Sequence, residues 1–301
     1  MQSKTAAFVN AALRALSSPR LAVLAMQERG PRYVIETLRN STPAELLRIV
    51  HDLQFRALDN TRDNLVREFG TALAGVDDED AALLRVQLRA GGTFLIRKAQ
   101  CLSDMKVLYE TFVLRIYDVH PALRGQTVLD VGANLGDTAV YFALQGARVV
   151  AFEPSDELCA LAARNAELNG VTIELHNEGI GCMDHTLPLT VGRAGANPMS
   201  TTLFPGGIES RNRQLSLRVP VRVVALADVI ERYAPICFVK MDCEGCEYPA
   251  LLNLSRERLR SVAHVCLEYH DRPEPLRERL EGAGFVVRMN DGRLMVADRT
   301  S

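Results

Sequence analysis

A glycine-bearing turn between residues 130 and 138 carries the residue types that bind a nucleoside cofactor. It follows an apolar run over 127–131, predicted as a strand, and precedes a predicted helix. Glycines permit a tight turn and a close approach of the backbone to a ligand, and the amides that begin the helix favour an anionic group. Asp130 can accept a hydrogen bond from a cationic amino group. We predict that this turn binds a cofactor through Asp130, Gly132, Ala133, Asn134, Gly136, Asp137 and Thr138.

A second cofactor contact is predicted one strand later. Glu153 and Pro154 end the apolar run 147–152. A carboxylate at this place can accept hydrogen bonds from both hydroxyls of an adenosine ribose, as it does in dinucleotide-binding folds. After the third predicted strand, Asn177 or Glu178 is placed to contact the adenine edge.

The spacing of the turn distinguishes between two cofactor classes. A dinucleotide fingerprint needs G-x-G-x-x-G, whose second glycine makes room for the pyrophosphate. Asn134 occupies that position here, which fits a ligand without pyrophosphate, such as S-adenosylmethionine. A purely structural strand-to-helix turn is the alternative, and the acid one strand later argues against it.

Polar residues end the fourth and fifth predicted strands, where the acceptor of a transferred group would lie. Lys240 and Asp242 are two residues apart on a strand and share one face, and Glu244 follows. Glu268 and His270 end the next strand in the same way, and a histidine titrates near neutral pH. Methyl transfer to an alcohol needs alignment and removal of a proton. We predict Asp242, Glu244, Lys240 and His270 as catalytic residues, with His270 as a candidate proton acceptor.

Simpler interpretations of these polar residues stay open. Asp242 or Glu247 would merely cap the following helix, Lys240 would pair with a carboxylate, and His270 would be structural. No metal site is assigned. A divalent cation held by the oxygen ligands of Asp242, Glu244 and Glu268 is retained as an alternative.

The seven cysteines have an odd number and irregular spacing, which argues against a disulfide framework and indicates a reducing compartment. Cys243-x-x-Cys246 invites a zinc interpretation, but a four-ligand site needs a second pair and none is present. We therefore expect two small side chains that are tolerated beside the acidic motif.

The elements that position these residues alternate between short apolar strands and amphipathic helices. This alternation indicates a parallel sheet with helices on both faces. Two last runs, Phe285–Met289 and Leu294–Ala297, flank Asn290-Asp291-Gly292, a hairpin signal. The predicted fold is an α/β, Rossmann-like sheet with a C-terminal antiparallel hairpin. Its predicted parallel strands are 127–131, 147–152, 171–175, 236–241 and 262–267, with a helix over 156–168.

Residues 1–90 are predicted to form a helical accessory domain, ahead of a domain over 91–301. Thr42-Pro43-Ala44-Glu45 is interpreted as a capping box, and the carboxylates of 77–80 as the start of a helix over 81–88. The paired glycines in Arg89–Gly92 mark the boundary.

Two further predictions concern segments near the site. Thr93–Ile96 is predicted as a short strand, followed by a helix that Ser103-Asp104 caps. The glycine- and proline-bearing segment from Gly192 to Pro220 is predicted as a substrate-side lid, with an uninvolved surface insertion as the alternative.

The composition indicates a soluble cytoplasmic protein. Hydrophobic residues make up 48% of the chain and charged residues 24%, and no uninterrupted apolar run in 6–26 is long enough for a membrane span. A net charge of −2 provides no field that would attract nucleic acid or an anionic membrane. An N/D-P-P-Y/F motif for a flipped base is also absent, so neither partner is expected.

Three motifs together resemble the FkbM family of methyltransferases over roughly residues 93–290. The run 130–136 matches D-V-G-A-N-x-G, Ala151-Phe152-Glu153-Pro154 matches A-F-E-P, and the run 240–247 resembles K-I-D-V-E-G-A-E. Departures are Ala227, where the family often has a second Asp, and Cys243 and Cys246 in place of aliphatic residues.

The resemblance implies a class I methyltransferase fold with S-adenosylmethionine as donor and a hydroxyl acceptor on a small molecule, natural product or saccharide. The alternatives are a non-catalytic S-adenosylmethionine-binding regulatory module and a methyltransferase acting on nitrogen. The helical first 90 residues lie outside the resemblance, and we expect them to form a homodimer contact or a wall of the acceptor pocket.

Overall fold

A computed structural model describes residues 58–118, 122–192, 216–290 and 293–299 of the chain. Two compact units are present, Met1–Asn64 and Leu65–Ser301. The first unit lies almost entirely outside the described residues, and so does the capping box predicted at 42–45. The second unit contains the elements that position the site.

A three-stranded antiparallel sheet lies near the start of this unit, after helix α1 (Arg62–Phe69). Its strands are β1 (Leu73–Asp78), β2 (Leu83–Leu88) and β3 (Thr93–Arg97), with β2 in the middle. The helix predicted over 81–88 is therefore wrong, and so is the helical character predicted for 73–88. Along β2, buried and exposed side chains alternate, a period of two that favours a strand.

The acidic run 77–80 leads into a turn and does not begin a helix. Asp80 Oδ1 accepts hydrogen bonds from the amides of Ala82 and Leu83 at 2.7 and 2.9 Å. Short acidic side chains compete for backbone amides in this way outside helices. The glycines of the predicted boundary, Gly91 and Gly92, form the turn from β2 to β3, inside the second unit. The domain limits at 90 and 91 stay a prediction.

The strand predicted at Thr93–Ile96 is confirmed as β3, but the helix after it begins earlier than predicted. Helix α2 runs from Cys101 to Phe112, so Ser103 and Asp104 lie inside its first turn. Asp104 is buried, and its carboxylate accepts from the backbone amide and the guanidinium of Arg97 at 2.6–3.0 Å. Asp104 thus joins α2 to the end of β3 and does not cap the helix.

A seven-stranded sheet forms the centre of the unit. Its strands are β4 (Thr127–Val131), β5 (Arg148–Phe152), β6 (Ile173–His176), β10 (Ile236–Met241), β11 (Val262–Glu268), β12 (Phe285–Asn290) and β13 (Leu294–Arg299). They lie in the order β12-β13-β11-β10-β4-β5-β6. Six strands run in the same direction, and β13 runs in the opposite one, antiparallel to both β11 and β12. This confirms the predicted Rossmann-like class I methyltransferase sheet with its C-terminal hairpin.

Helices connect these strands, and apolar residues of both layers form the core. The helices are α3 (Asp137–Leu144), α4 (Asp156–Leu168), α5 (Leu226–Tyr233), α6 (Glu247–Leu252), α7 (Arg256–Leu259) and α8 (Glu274–Glu281). Helix α4 has the predicted bounds, because Ser155 caps it by accepting from the amide of Leu158. Phe142 of α3 packs edge-on against Phe238 of β10.

A second three-stranded sheet was not predicted. It consists of β7 (Gly179–Gly181), β8 (His185–Gly192) and β9 (Ser216–Ala225), with β9 in the middle. Strands β8 and β9 pair antiparallel from His185 opposite Val223 to Gly192 opposite Ser216. Both ends of the predicted lid are therefore strand, and its remainder, 193–215, lies outside the described residues.

None of the helices in the described part of the chain is long and apolar enough to cross a membrane.

The register of the central sheet brings the predicted site residues to one edge. Chain order reverses between β4 and β10, where Asp130 lies opposite Lys240. On the other side of β4, Val131 lies opposite Phe152, so Glu153 follows at the same level. Ligands of open α/β sheets bind beyond the carboxyl ends of the strands at such a reversal.

Candidate functional site

The turn after β4 is shaped by its contacts with neighbouring elements. Gly132 has φ +80°, and a Cβ there would lie 1.9 Å from the carbonyl oxygen of Asp242. Gly136 has φ +86°, and its Cβ would lie 2.9 Å from Cα of Ala162 in α4. The glycines were predicted to make room for a ligand. The structure gives them a packing role, which holds the turn against the end of β10 and against α4.

Asp130 is fully buried at the end of β4. Its Oδ2 accepts a hydrogen bond from Thr138 Oγ1 at 2.6 Å, and its Oδ1 forms an ion pair with Lys240 Nζ at 3.2 Å. Two of the predicted cofactor-binding residues, Asp130 and Thr138, thus bind each other, and the cationic partner of Asp130 is a lysine of this chain.

Lys240 was predicted to be catalytic, and the structure places it beneath the turn. Its Nζ donates to the carbonyl oxygen of Gly132 at 2.7 Å and lies 5.6 Å from the ring centroid of Tyr117. Burial alone would lower the pKa of this lysine, but the charges of Asp130 and Asp242 raise it. A buried lysine that stays charged fixes the turn. This position agrees with the simpler interpretation, in which Lys240 pairs with a carboxylate.

Glu153 lies buried after β5 with both oxygens on backbone amides. Oε2 accepts from the amide of Asn134 and Oε1 from the amide of Ser155, each at 2.9 Å. Burial raises the pKa of Glu153 to about 7, and these two amides oppose the shift. The acid predicted for the ribose hydroxyls is thus held beside the glycine-bearing turn. Pro154, the next residue, is partly buried.

The remaining predicted cofactor residues divide into two groups. Ala133 and Asp137 are buried under the turn, and Thr111 Oγ1 donates to Asp137 at 2.6 Å. Asn177 is exposed and donates to the carbonyl oxygen of Glu153 at 3.0 Å, so it lies beside the acid. Glu178 forms an ion pair with Arg222 at 2.7 Å, which competes with a contact to adenine.

The residues of the turn fit S-adenosylmethionine. Asn134 has φ +51°, and its Oδ1 is buried without a hydrogen-bond partner among the described residues. A buried acceptor of this kind requires a donor, and the cofactor carries amino and hydroxyl donors. Glu153 offers the carboxylate for the ribose, next to the amide of Asn134.

Acidic side chains and one histidine converge beyond the ends of β10 and β11. His270 Nε2 lies 3.8 Å from an Asp242 oxygen and 3.5 Å from a Glu244 oxygen. Tyr117 donates a hydrogen bond to Asp242 at 3.2 Å. The structure thus brings together three of the four predicted catalytic residues, Asp242, Glu244 and His270, with Glu268 beside them. We call Asp242, Glu244, Glu268 and His270 the acidic cluster.

Glu247 and Tyr117 complete this arrangement. Glu247 is fully buried, and its Oε1 accepts from His270 Nδ1 at 2.8 Å. The sequence presented Glu247 only as a helix cap, and Tyr117 carried no signal, since it lies 125 residues from Asp242. Burial lowers the pKa of His270, but Glu247 and the nearby carboxylates raise it to about 10. In this arrangement the imidazole is charged at neutral pH, which does not suit a proton acceptor.

The loop that carries Glu244 is strongly bent. Glu244 and Gly245 have φ +56° and +114°, and a disulfide joins Cys243 to Cys246 around them. The expectation that these cysteines are separate small side chains is therefore corrected, because the bent loop brings their Cα atoms to 5.5 Å, within reach of a disulfide.

Several solved structures are similar to this chain. The magnesium protoporphyrin IX methyltransferase of Synechocystis, with bound S-adenosylmethionine, is 13% identical with a TM-score of 0.35, over 67% of this chain and 83% of that one. A methyltransferase of Agrobacterium tumefaciens that depends on S-adenosylmethionine is 14% identical with a TM-score of 0.39, over 74% and 71%. The Pyrococcus abyssi tRNA (uracil-54, C5)-methyltransferase is 13% identical with a TM-score of 0.39, over 73% of this chain and 44% of its own.

These overlaps are partial, and no curated protein matches the chain at a significant level. The methyltransferase FkbM domain matches residues 130–287, which run from Asp130 at the end of β4 into β12. The match contains the acidic cluster and the glycine-bearing turn 130–138, which we call the cofactor turn. The match covers more than half of the chain. The chain belongs to the FkbM methyltransferase family, with S-adenosylmethionine as its cofactor.

Proposed function

We propose that this methyltransferase acts on a hydroxyl group of a small natural product or saccharide. The observation that carries the proposal is the position of the acidic cluster next to the cofactor turn. Gly132 of that turn packs directly on the carbonyl oxygen of Asp242, the first member of the cluster. A methyl donor bound at the turn is thereby adjacent to side chains that can hold a hydroxyl and take up its proton.

The chemistry asked of this chain is alignment and proton uptake. S-adenosylmethionine supplies a methyl group that is bonded to a sulfonium sulfur. After transfer, the rest of the donor is a neutral thioether. The acceptor oxygen forms the new carbon–oxygen bond as the carbon–sulfur bond breaks and its electron pair stays on sulfur. The hydroxyl proton must then pass to a base, and carboxylates within hydrogen-bond reach are suited to this. Asp242 is the member of the cluster next to the turn and orients the acceptor.

Acid side chains also discriminate among acceptors. A hydroxyl donates one hydrogen bond to a carboxylate and keeps lone pairs for the methyl carbon. Sugars and polyhydroxylated natural products offer several such donors at once, which a group of carboxylates can bind together. An uncharged amine would gain a proton beside these acids and lose the lone pair that it needs, so we favour oxygen over nitrogen.

The test is transfer of a labelled methyl group by the full chain. We expect label on hydroxylated small molecules from a panel that also contains amines, RNA and proteins. Asp242→Asn keeps the shape but loses the charge, and should lower kcat by about a hundredfold or more, within the range of general acid–base effects. Asp271→Asn, an exposed acid just beyond His270, is the matched control and should leave kcat unchanged.

Each result has a clear meaning. Label found only on amines or RNA would contradict the hydroxyl assignment. Binding of S-adenosylhomocysteine without transfer to any acceptor would favour the non-catalytic module. Full activity of Asp242→Asn would remove this residue from the acceptor side.

A further inference from the structure

Three side chains of the acidic cluster are arranged as metal ligands. Asp242, Glu268 and His270 each offer one ligand atom, and these atoms all lie within 4.8 Å of one another. They come from the ends of the neighbouring parallel strands β10 and β11, so the sheet fixes their spacing. One ion with metal–ligand bonds of about 2.0–2.2 Å can contact all three after small side-chain rotations.

His270 is prepared to bind an ion through Nε2. Its side chain is 10% exposed, and Nδ1 is engaged by the buried carboxylate of Glu247 at 2.8 Å. Nε2 points at the carboxylates of Asp242 and Glu244, 3.8 and 3.5 Å away, and forms no hydrogen bond within the described ranges. Metal-binding histidines commonly have this arrangement, in which one ring nitrogen contacts a carboxylate and the other ring nitrogen faces the metal site.

The charge of the cluster points to the same ligand. Asp242 and Glu268 form no ion pair with a lysine or arginine among the described residues, and His270 lies at 3.8 Å from Asp242. Tyr117 provides a hydrogen bond to Asp242 at 3.2 Å but no charge. Partly buried carboxylates that face each other are costly unless a cation compensates them. Without an ion, the charged imidazole of His270 supplies one positive charge to the cluster. A divalent ion bound at Nε2 would displace the proton of that nitrogen and supply two positive charges instead.

We propose that Asp242, Glu268 and His270 bind one divalent cation of the first-row transition series. Two carboxylates and an imidazole are a mixed oxygen and nitrogen set, which suits ions such as Mn²⁺ better than Ca²⁺. Three protein ligands leave coordination positions open for water or for an acceptor oxygen. Glu247 is a positioning residue, because it orients His270 without reaching the ion.

The experiment measures binding of Mn²⁺ alone to the full chain, without cofactor or acceptor. Free Mn²⁺ gives an electron paramagnetic resonance signal that bound Mn²⁺ loses, so a titration yields the Kd and the stoichiometry. We expect one strong site per chain. Glu268→Gln and His270→Gln should each weaken Kd more than about tenfold, and Glu247→Gln by about 10–100-fold. Glu278→Gln, an exposed acid on α8, is the matched control and should bind as the unaltered chain does.

Circular dichroism of each variant verifies that it is folded. No strong site on the unaltered chain, or equal Kd values for the unaltered chain and a folded Glu268→Gln variant, would overturn the proposal. Unchanged affinity in Glu247→Gln would remove the positioning role. Because the readout is metal binding, it stands or falls separately from the hydroxyl acceptor proposed above.

Discussion

At the scale of single residues, the ribose contact predicted for Glu153 would link cofactor binding to pH. Burial raises the pKa of Glu153 to about 7, and only the charged carboxylate would accept hydrogen bonds from both ribose hydroxyls. The affinity for S-adenosylhomocysteine should therefore fall as pH drops through 7. One competing proton predicts about a tenfold weaker Kd at pH 6 than at pH 8, which isothermal titration calorimetry measures.

The variant Glu153→Gln tests this assignment. It should bind weakly at every pH and lose the dependence near pH 7, whereas an unchanged pH profile would show that another group titrates. The pH dependence of folding stability without cofactor has the opposite sign to that of cofactor binding. A carboxyl whose pKa rises from 4.5 in the unfolded chain to about 7 contributes stability below pH 4.5 that is lost as pH rises through 7.

Lys240 matters for folding because its charge compensates buried Asp130. Lys240→Met keeps the apolar stem but leaves the Asp130 carboxylate without its cation at 3.2 Å. Breaking one side of a buried pair costs about 3–5 kcal/mol, and we expect a decrease of this size in the free energy of unfolding, measured with urea. The double variant Asp130→Asn/Lys240→Met should recover part of the loss. Equal stability of Lys240→Met and the unaltered chain would contradict the pairing.

At the scale of elements, the sequence predicted the parallel strands of the central sheet, its C-terminal hairpin and β3, but it missed β1, β2 and the sheet of β7, β8 and β9. The strands β4, β5, β10 and β11 are mostly apolar and buried and are followed by polar residues, so the local pattern suffices to predict them. Ahead of β2, the acids at 77–80 suggested the start of a helix, but Leu84 and Val86 alternate with exposed residues and form a strand. The pairing of β8 with β9 spans a long connection, so no local signal fixes it.

The site shows the same division between local and long-range information. Asp130, Glu153 and the acidic cluster were located because each ends a strand whose position the sequence predicted. The contacts of each residue depend on the register of the sheet. The sequence suggested that Lys240 lies beside the acceptor, but the register places it beside Asp130. His270 contacts Glu247, which lies 23 residues away along the chain, and Asp242 contacts Tyr117, which lies 125 residues away. The spacing of residues along the chain does not predict such contacts.

At the scale of the whole molecule, the first antiparallel sheet belongs to the methyltransferase unit. Strand β3 carries the buried side chains of Phe94 and Ile96, and it pairs with β2 along its length. The amide of Leu95 in β3 also donates to the side chain of Asn165 in α4 at 2.7 Å. Strands β1 to β3 are therefore continuous in structure with the helices that support the cofactor turn.

This continuity predicts the outcome of two truncations. A chain that begins at residue 61 keeps helix α1 and the unit intact and should unfold cooperatively near the temperature of its full-length counterpart. A chain that begins at residue 91 loses β1 and β2, which leaves β3 unpaired and removes the buried side chains of Leu84 and Val86. Each such side chain stabilises by about 1.5–3 kcal/mol, so the loss is large compared with a stability of about 5–15 kcal/mol. Scanning calorimetry should show no cooperative transition for the shorter chain, and equal melting temperatures of the two would place the domain boundary at residue 90 after all.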